Sequence, residues 1–343
     1  MSTGSTEKRN LQAVRAECRY SPRVIPFERI GMGRVMKDSL VTVFGGGGFL
    51  GRHVAQALMA CGARVRVAQR DLATALRVKP LGALGQTQFV AADIRKPESV
   101  ARAVAGSDIV INLVGVLSGD FEGSHHGGAA NVAKAAAEAG LKALVHISAI
   151  GADAQSPSAY GRSKAAGEEA VKAAFPNATI IRPSIVFGPE DQFLNRFAEI
   201  IRLTPVVPVI GATTRFQPVY VADVAQAIAN AAENPGLHGG KTYELGGPQT
   251  YSMLELNAWI AKAIGRERSL CPVPASIASL IALLPGGPIT RDQLAMLGRD
   301  NVVAPGAKGL ADLGVAPTPM PAVAEKWLVR YRRHGRFAGR VQA

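Results

Sequence analysis

Between residues 40 and 190 the chain alternates short apolar segments with longer alanine-rich segments whose apolar positions recur at helical spacing. The short segments have the continuous hydrophobic character of strands that are buried on both faces of a sheet. They are LVTVF (40–44), ARVRVA (63–68), QFVAAD (88–93), DIVINLVG (108–115), ALVHISA (143–149) and ATIIRP (178–183). The helical segments include HVAQALMA (53–60), AANVAKAAAEAG (129–140) and SKAAGEEAVKAAF (163–175). This alternation predicts an α/β fold with a doubly wound parallel sheet.

The regular pattern loosens after about residue 190, where prolines divide the chain into short elements. This change indicates a smaller, mixed C-terminal lobe that packs on the sheet domain. We therefore divide the chain into an N-terminal extension (1–38), an α/β domain (39–250) and the smaller lobe with its tail (251–343).

Five glycines lie in VFGGGGFLGRHV, between the first strand and the first helix. Gly46-x-Gly48-x-x-Gly51 fits the dinucleotide fingerprint, and Gly45-x-x-Gly48-x-x-Gly51 fits the wider spacing of short-chain dehydrogenases. A loop without side chains lets a diphosphate reach the N–H groups of the helix N-terminus, and Gly51 lets the helix pack close to the strand. This predicts a NAD(P)-binding Rossmann domain. The alternative is a tight glycine turn without a ligand.

The predicted contacts to the cofactor come from the ends of four strands. The second strand ends in Gln69-Arg70 instead of the acid typical of NAD sites, so Arg70 could pair with a 2′-phosphate. Asp71 weakens this argument, but NADP(H) is favoured over NAD(H). The cofactor-binding residues predicted at this point are Gly45, Gly48, Phe49, Leu50, Gly51, Arg70, Asp93, Ile94, Val114, Gly115, Tyr160 and Lys164. We predict no metal site.

Tyr160 and Lys164 are four residues apart at the start of a predicted helix, so they share one face. A nearby ammonium would stabilise a phenolate, lower the pKa of Tyr160 and make it a usable acid or base. Lys164 could also hold the ribose hydroxyls. Together with the glycine loop, this pair predicts a catalytic or formerly catalytic site.

The glycine loop, Asp93, the strand end 112–115 and the Tyr160–Lys164 pair resemble the extended and atypical short-chain dehydrogenase/reductase superfamily. The resemblance implies that the tyrosine transfers a proton and that a serine hydroxyl positions the substrate. That hydroxyl often falls at the position of Ala149. Ser148, Ser156 or Ser158 could replace it, which leaves proton transfer in doubt.

Three further segments resemble the Rossmann-fold accessory subunit family of respiratory complex I, the alpha subcomplex subunit nine family. They are AAFPNATIIRPSIVFGPEDQFLNRFAEI (173–200), RFQPVYVADVAQAI (215–228) and ITRDQLAMLGRDNVV (289–303). The resemblance covers about residues 40 to 320 and implies a bound, structural NADPH. It implies that Asp93 and Ile94 flank adenine, and that Tyr160 and Lys164 hold ribose and nicotinamide. Pro183 and Ser184 would approach the carboxamide. Gly47 departs from the threonine or serine of similar loops, and Asp223 is expected to cap a helix.

The net charge of +13 is concentrated at the two ends of the chain. Residues 1–38 carry eight Lys/Arg against four Asp/Glu, and residues 321–343 carry six against one. Such ends could dock to a protein partner, to anionic lipid or to nucleic acid, or they could be solvated tails. Three scattered cysteines indicate a reducing compartment. The segment PASIASLIALLP (274–285) is too short to span a bilayer, and we expect a core or subunit-contact helix there. His125 and His126 are expected to lie on a plain loop.

These observations favour a non-catalytic, NADPH-binding accessory subunit of a complex I-like NADH:ubiquinone oxidoreductase. Its partners would be other subunits and an anionic membrane surface. Its place would be the cytoplasmic side of a bacterial inner membrane, with the mitochondrial matrix as the alternative. One rival function is an active NAD(P)-dependent reductase, epimerase or dehydratase, so independent turnover is left open. A regulatory or RNA-binding Rossmann protein is ranked third, and no nucleic acid is expected.

Overall fold

The computed structural model describes residues 36–283 and 289–333. Most of the predicted N-terminal extension, and the predicted basic tail beyond residue 333, lie outside the described residues. Met36, which belongs to the predicted extension, is fully buried in the core. The Asp38 N–H donates to the Gly62 carbonyl, which ties this segment to the body.

The strands have the following bounds: β1 (Leu40–Phe44), β2 (Arg64–Gln69), β3 (Thr87–Ala91), β4 (Ile109–Asn112), β5 (Ala143–Ile147), β6 (Thr179–Pro183), β7 (Val186–Phe187), β8 (Val206–Ile210), β9 (Arg215–Phe216), β10 (Val219–Tyr220), β11 (Thr242–Leu245), β12 (Tyr251–Ser252) and β13 (Ser269–Val273).

The α-helices are α1 (Phe49–Ala60), α2 (Leu72–Ala75), α3 (Pro97–Val104), α4 (Gly128–Glu138), α5 (Ala159–Ala174), α6 (Leu194–Leu203), α7 (Val221–Glu233), α8 (Pro235–His238), α9 (Met253–Ala263), α10 (Ala275–Ile281), α11 (Arg291–Leu297) and α12 (Met320–Leu328). Short 3₁₀ segments cover Leu76–Leu81, Ala311–Leu313 and Val329–Tyr331, and a π-helical turn at Glu122–Gly127 runs directly into α4.

Seven parallel strands form the central sheet in the order β11-β6-β5-β4-β1-β2-β3. The chain moves outward from β1 to β3 and then crosses back to β4 on the other side of β1, so the predicted doubly wound sheet is confirmed. All six predicted strands are present. The seventh, β11, was missed because TYEL is short and carries a charge.

Helices cover both faces of the sheet, and the central strands β1, β4 and β5 are fully buried, whereas the edge strand β3 is partly exposed. On one face, Val43 and Val65 pack in a cluster with Leu58 of α1 and Ile228 of α7. On the other face, Val110 and Leu144 pack with residues of α3, α4 and α5. The predicted C-cap glycines adopt left-handed conformations, with φ of +88° at Gly62 and +64° at Gly140.

The smaller lobe has its own core, in which Phe187, Leu194 and Ile201 pack with Leu256 and Met320. This core therefore uses segments on both sides of residue 251. The division into domains at residue 250 stays a prediction. Among the described residues, no helix combines the length and the apolar character needed to cross a bilayer.

Candidate nucleotide-binding site

A cleft of about 350 Å³ runs along the carboxyl ends of β1, β2, β3 and β4. In an open α/β sheet this edge, at the point where the strand order reverses, is the place where ligands bind. Ten of the predicted cofactor-binding residues line it: Gly45, Gly48, Phe49, Leu50, Gly51, Arg70, Asp93, Ile94, Val114 and Gly115. The other four predicted residues do not line the cleft: Tyr160, Lys164, Pro183 and Ser184.

The glycine turn has the geometry of an anion cradle. Gly45 has φ of +78°, which favours glycine. A Cβ on Gly51 would lie 2.3 Å from the Gly45 carbonyl oxygen, so this position of α1 accepts no side chain. The N-cap of α1 is Gly48, which makes no side-chain cap, and the first turn contains no acidic residue. The N–H groups of Gly45, Gly47 and Gly48 are bonded within the protein, so the N–H groups offered to a diphosphate are those of the first turn of α1.

Gln69 explains why Gly47 departs from the pattern of similar loops. The Gly47 N–H donates to Gln69 Oε1 at 2.8 Å. A Cβ at position 47 would lie 2.6 Å from that oxygen and 2.8 Å from the Thr74 carbonyl oxygen. The space for a threonine or serine side chain is therefore already filled.

Arg70 lines the cleft with an exposed side chain, whereas the neighbouring Asp71 is engaged elsewhere. The Asp71 carboxylate caps α2 by accepting hydrogen bonds from the Ala73 N–H at 3.0 Å and the Thr74 N–H at 3.3 Å. Because its carboxylate is used in this cap, Asp71 is a weaker objection to a contact between Arg70 and a 2′-phosphate than the sequence alone indicates.

Arg95 is a cleft residue that the sequence analysis missed. Its Nη2 donates to Asp93 Oδ2 at 2.6 Å, and its Nε donates to the same carboxylate. These hydrogen bonds lower the pKa of Asp93 to about 2. Asp93 is therefore a carboxylate paired with a cation at the predicted adenine end. The signal in the sequence is an arginine two residues after a strand-end acid.

Lys164 is only 4% exposed, and its Nζ donates to the Ile147 carbonyl oxygen at 2.8 Å. Burial lowers the pKa of Lys164 to about 8, against the raising effect of Glu168. The side chain ends near the cleft wall, because a Cβ built on Gly115 would lie 3.8 Å from Nζ.

The predicted effect of Lys164 on Tyr160 is wrong for this structure. Burial raises the pKa of Tyr160 to about 12, and no ammonium offsets it. The reason is that the Lys164 cation is directed at a backbone carbonyl. Tyr160 is thus a neutral phenol at pH 7.

Among the three candidate serines, Ser148 is 3% exposed and its hydroxyl has no hydrogen-bond partner within the described residues. The Ser156 hydroxyl accepts from the Ser158 N–H at 3.3 Å, and the Ser158 hydroxyl donates to Asp292 at 3.2 Å. A buried unpartnered hydroxyl costs about 1–3 kcal/mol, so Ser148 is the one able to gain from an incoming polar group.

Pro183 is the last residue of β6 and Ser184 follows it, and neither lines the cleft. The Ser184 hydroxyl lies 2.6 Å from Oδ1 and 2.9 Å from the carbonyl oxygen of Asn301, both acceptors. Its predicted approach to a carboxamide stays a prediction.

His125 and His126 lie on the π-helical turn, so the predicted plain loop is wrong. The Val116 N–H donates to His125 Nε2 at 2.9 Å, which leaves the ring proton on Nδ1 to donate to Ser163 Oγ at 2.8 Å. Burial lowers the pKa of His125 to about 4, so the neutral ring holds the cleft wall at Val116.

The expectation that Asp223 caps its helix is wrong. The N-cap of α7 is Tyr220, and Asp223 lies in the first turn. Its carboxylate instead accepts from the Thr318 N–H at 2.7 Å and the Thr318 hydroxyl at 2.9 Å. This contact attaches a C-terminal segment to the sheet domain.

The fold and this cleft define a class of protein, which the comparison with known families identifies. Residues 41–246 match the NAD dependent epimerase/dehydratase family, and the chain belongs to that family. The structure of Citrobacter sp. triphenylmethane reductase complexed with NADP(H) has the same fold, with a TM-score of 0.69 at 22% identity over 84% of this chain and 99% of that one.

Within this class the chain belongs with one particular group of proteins. It is 37% identical over 331 residues to the mitochondrial NADH dehydrogenase [ubiquinone] 1 alpha subcomplex subunit 9 of Rattus norvegicus, covering 93% of this chain and 87% of the rat protein. The Arabidopsis thaliana protein of the same description is 36% identical, with 93% and 86% covered. The predicted resemblance to this family is confirmed.

Proposed function

We propose that this chain is an NADP(H)-binding accessory subunit of a complex I-like NADH:ubiquinone oxidoreductase, without turnover of its own. The observation that carries the proposal is the likeness to the rat subunit over nearly the whole of both chains. The glycine turn also supports the proposal. Gly51 has no room for a Cβ, so α1 packs close to the turn, as in dinucleotide-binding sites.

The nucleotide is NADP(H) rather than NAD(H). Arg70 is available at the end of β2, where an NAD site usually places an acid. Asp71 is engaged as a cap and Asp93 is paired with Arg95, so neither offers a free carboxylate to the adenosine ribose. A guanidinium facing the 2′-phosphate gives a strong, charge-assisted contact.

The bound nucleotide has a structural role. A nicotinamide ring would supply hydride chemistry, but Tyr160 has a pKa of about 12 and is a poor proton-transfer group near neutral pH. A ligand that binds only the folded chain stabilises it by about 2.7 kcal/mol at a concentration of 100 times its dissociation constant.

The partners are other subunits of the assembly, together with an anionic membrane surface. In α10, Ile277 and Leu280 are 49% and 65% exposed, whereas Ala278 is buried. An exposed apolar face of this kind is suited to a contact surface. We assign the protein to the cytoplasmic side of a bacterial inner membrane, with the matrix side of the mitochondrial inner membrane as the alternative.

Purification of the tagged chain from membranes in mild detergent tests this function. We expect quinone-reductase subunits to accompany it in fixed ratio, and deletion of the chain to reduce the amount of assembled complex. The same purification from cells that lack a core quinone-reductase subunit is the control. Recovery as a free protein in both preparations would contradict the proposal.

The orphaned Ser148 hydroxyl favours a second candidate, an active NADP-dependent reductase. This candidate requires hydride exchange between NADPH and an added carbonyl compound, abolished by Tyr160→Phe. Absence of exchange with the isolated, nucleotide-loaded chain rejects it for the compounds tested.

A further inference from the structure

The strand order determines which half of a bound dinucleotide lies over which strands. The proposed 2′-phosphate contact at Arg70 would place the adenine half over β1, β2 and β3. The nicotinamide half must then extend across β4 toward β5 and β6. On that side, the side chains near the nicotinamide half are held by other elements than the glycine turn.

A segment of the smaller lobe, residues 290–303, reaches this second half of the sheet edge, and we call it the strap. Its helix α11 brings Asp292 to the N-terminus of α5. The Asp292 carboxylate accepts hydrogen bonds from the Ala159 N–H at 2.5 Å and the Tyr160 N–H at 3.3 Å. It also accepts one from the Ser158 hydroxyl at 3.2 Å.

The other end of the strap holds the loops that follow β5 and β6. Asn301 Nδ2 donates to the Ile150 carbonyl oxygen at 3.3 Å, and the Ser184 hydroxyl lies 2.6 Å from Asn301 Oδ1. Between these points Arg299 pairs with Asp153 at 2.9 Å. The strap therefore contacts three neighbouring parts of the predicted nicotinamide side.

Asp292 supplies what the first turn of α5 lacks. That turn contains no acidic residue, so the carboxylate that satisfies its N–H groups and its dipole comes from another part of the chain. Tyr160 lies in this turn and Lys164 lies one turn later. A shift of the helix start would move both side chains relative to Gly115 and the cleft.

We propose that the strap, through Asp292, positions the Tyr160–Lys164 face of α5 for the nicotinamide half of the nucleotide, independently of the adenine half. Asp292 is a positioning residue, since it contacts the helix start. Because coupling is reciprocal, occupancy of the nicotinamide half also stabilises the seated strap. The inference rests on the proposed binding of NADP(H).

The test compares two ligands on the full chain. NADPH occupies both halves of the site, whereas 2′,5′-ADP occupies only the adenine half. For Asp292→Ala we expect the NADPH dissociation constant to rise about tenfold, the effect of losing one or two hydrogen bonds to a charged group. The affinity for 2′,5′-ADP should be unchanged, which also shows that the variant is folded.

Asp300→Ala is the matched control, because Asp300 lies in the strap but accepts from the Arg215 N–H at 2.8 Å, away from α5. It should leave the ratio of the two affinities at the wild-type value. Asp292→Asn, which keeps one acceptor oxygen, should give an intermediate loss of NADPH affinity.

Limited trypsin digestion of the wild-type chain provides a second readout. NADPH should slow cleavage at Arg291 and Arg299 in the strap, and 2′,5′-ADP should not. Equal loss of both ligands in Asp292→Ala, or no loss of either, overturns the positioning role. Failure of the wild-type chain to bind 2′,5′-ADP would instead overturn the proposed nucleotide site, and this inference with it.

Discussion

Arg70 and Lys164 lie toward opposite halves of the proposed nucleotide, and they differ in how far the sequence could predict them. The place of Arg70 follows from its position directly after β2, since the end of a parallel strand meets the ligand edge. The state of Lys164 depends on the Ile147 carbonyl, a tertiary contact that no local pattern shows. For the same reason, no local pattern predicts that burial, without a cation to offset it, raises the pKa of Tyr160.

Replacement of Arg70 tests the choice of nucleotide. Arg70→Ala should weaken NADPH binding about 10- to 100-fold, because a charge-assisted hydrogen bond to phosphate is lost. NADH binding should not change, since NADH has no 2′-phosphate. Isothermal titration calorimetry measures both, and Arg77→Ala removes a nearby exposed cation as the control. Parallel loss of both nucleotides would contradict the assignment.

The titration of Lys164 predicts a pH dependence. Its pKa of about 8 means that the ammonium deprotonates as the pH rises from 7 to 9. If the cation holds the ribose hydroxyls, NADPH affinity should fall above pH 8 by up to about tenfold per pH unit. Lys164→Met should bind weakly and without this dependence, whereas Lys134→Met, on the exposed side of α4, should keep it. A flat wild-type profile would contradict this role.

The same depressed pKa has the opposite effect on the unliganded fold. Between pH 8 and 10.5 the unfolded chain binds the Lys164 proton and the folded chain does not. The free energy of unfolding contributed by this group therefore rises with pH across that window.

At the scale of elements, the strands and helices that have a clear hydrophobic pattern were predicted from the sequence. The strands β1, β4 and β5 are largely apolar runs, β2 alternates arginine with valine, and α1, α4 and α5 follow the helical spacing. The sequence analysis missed the π-helical turn before α4, because the three glycines of EGSHHGG are typical of a loop. It also missed the strap, because the partners of Asp292 and Asn301 lie more than a hundred residues away.

The attachment of α5 to the sheet depends on a buried ion pair. Glu168 is 2% exposed, and its two carboxylate oxygens accept from Arg182 of β6 at 2.8 Å each. These bonds raise the pKa of Arg182. Removal of the Glu168 charge leaves the half-buried Arg182 with only its longer pair to Glu244 at 3.5 Å, so Glu168→Gln should lower the free energy of unfolding by about 3 kcal/mol.

Lys142→Gln is the control, because it breaks an exposed pair with Asp108 at 2.8 Å. Such surface pairs are worth under about 1 kcal/mol. Urea denaturation monitored by circular dichroism measures both variants. The structural role of Glu168 would be contradicted if the two substitutions cost the same.

At the scale of the whole molecule, the relatives of this chain are subunits of a large respiratory assembly, and the candidate nucleotide site lies in such a subunit. The chain keeps the fold and the glycine cradle of nucleotide-dependent enzymes, but its smaller lobe binds the start of α5 and the loops after β5 and β6. This arrangement fits the proposal that a bound nucleotide stabilises the contact between the smaller lobe and the sheet domain.

The nucleotide content of the native protein tests the central claim most directly. The protein is isolated from its own membranes without added nucleotide, denatured, and the released compounds are identified by chromatography and mass spectrometry. The account predicts one NADP(H) per chain, retained through purification. A preparation that releases no dinucleotide, or only NAD(H), would contradict it.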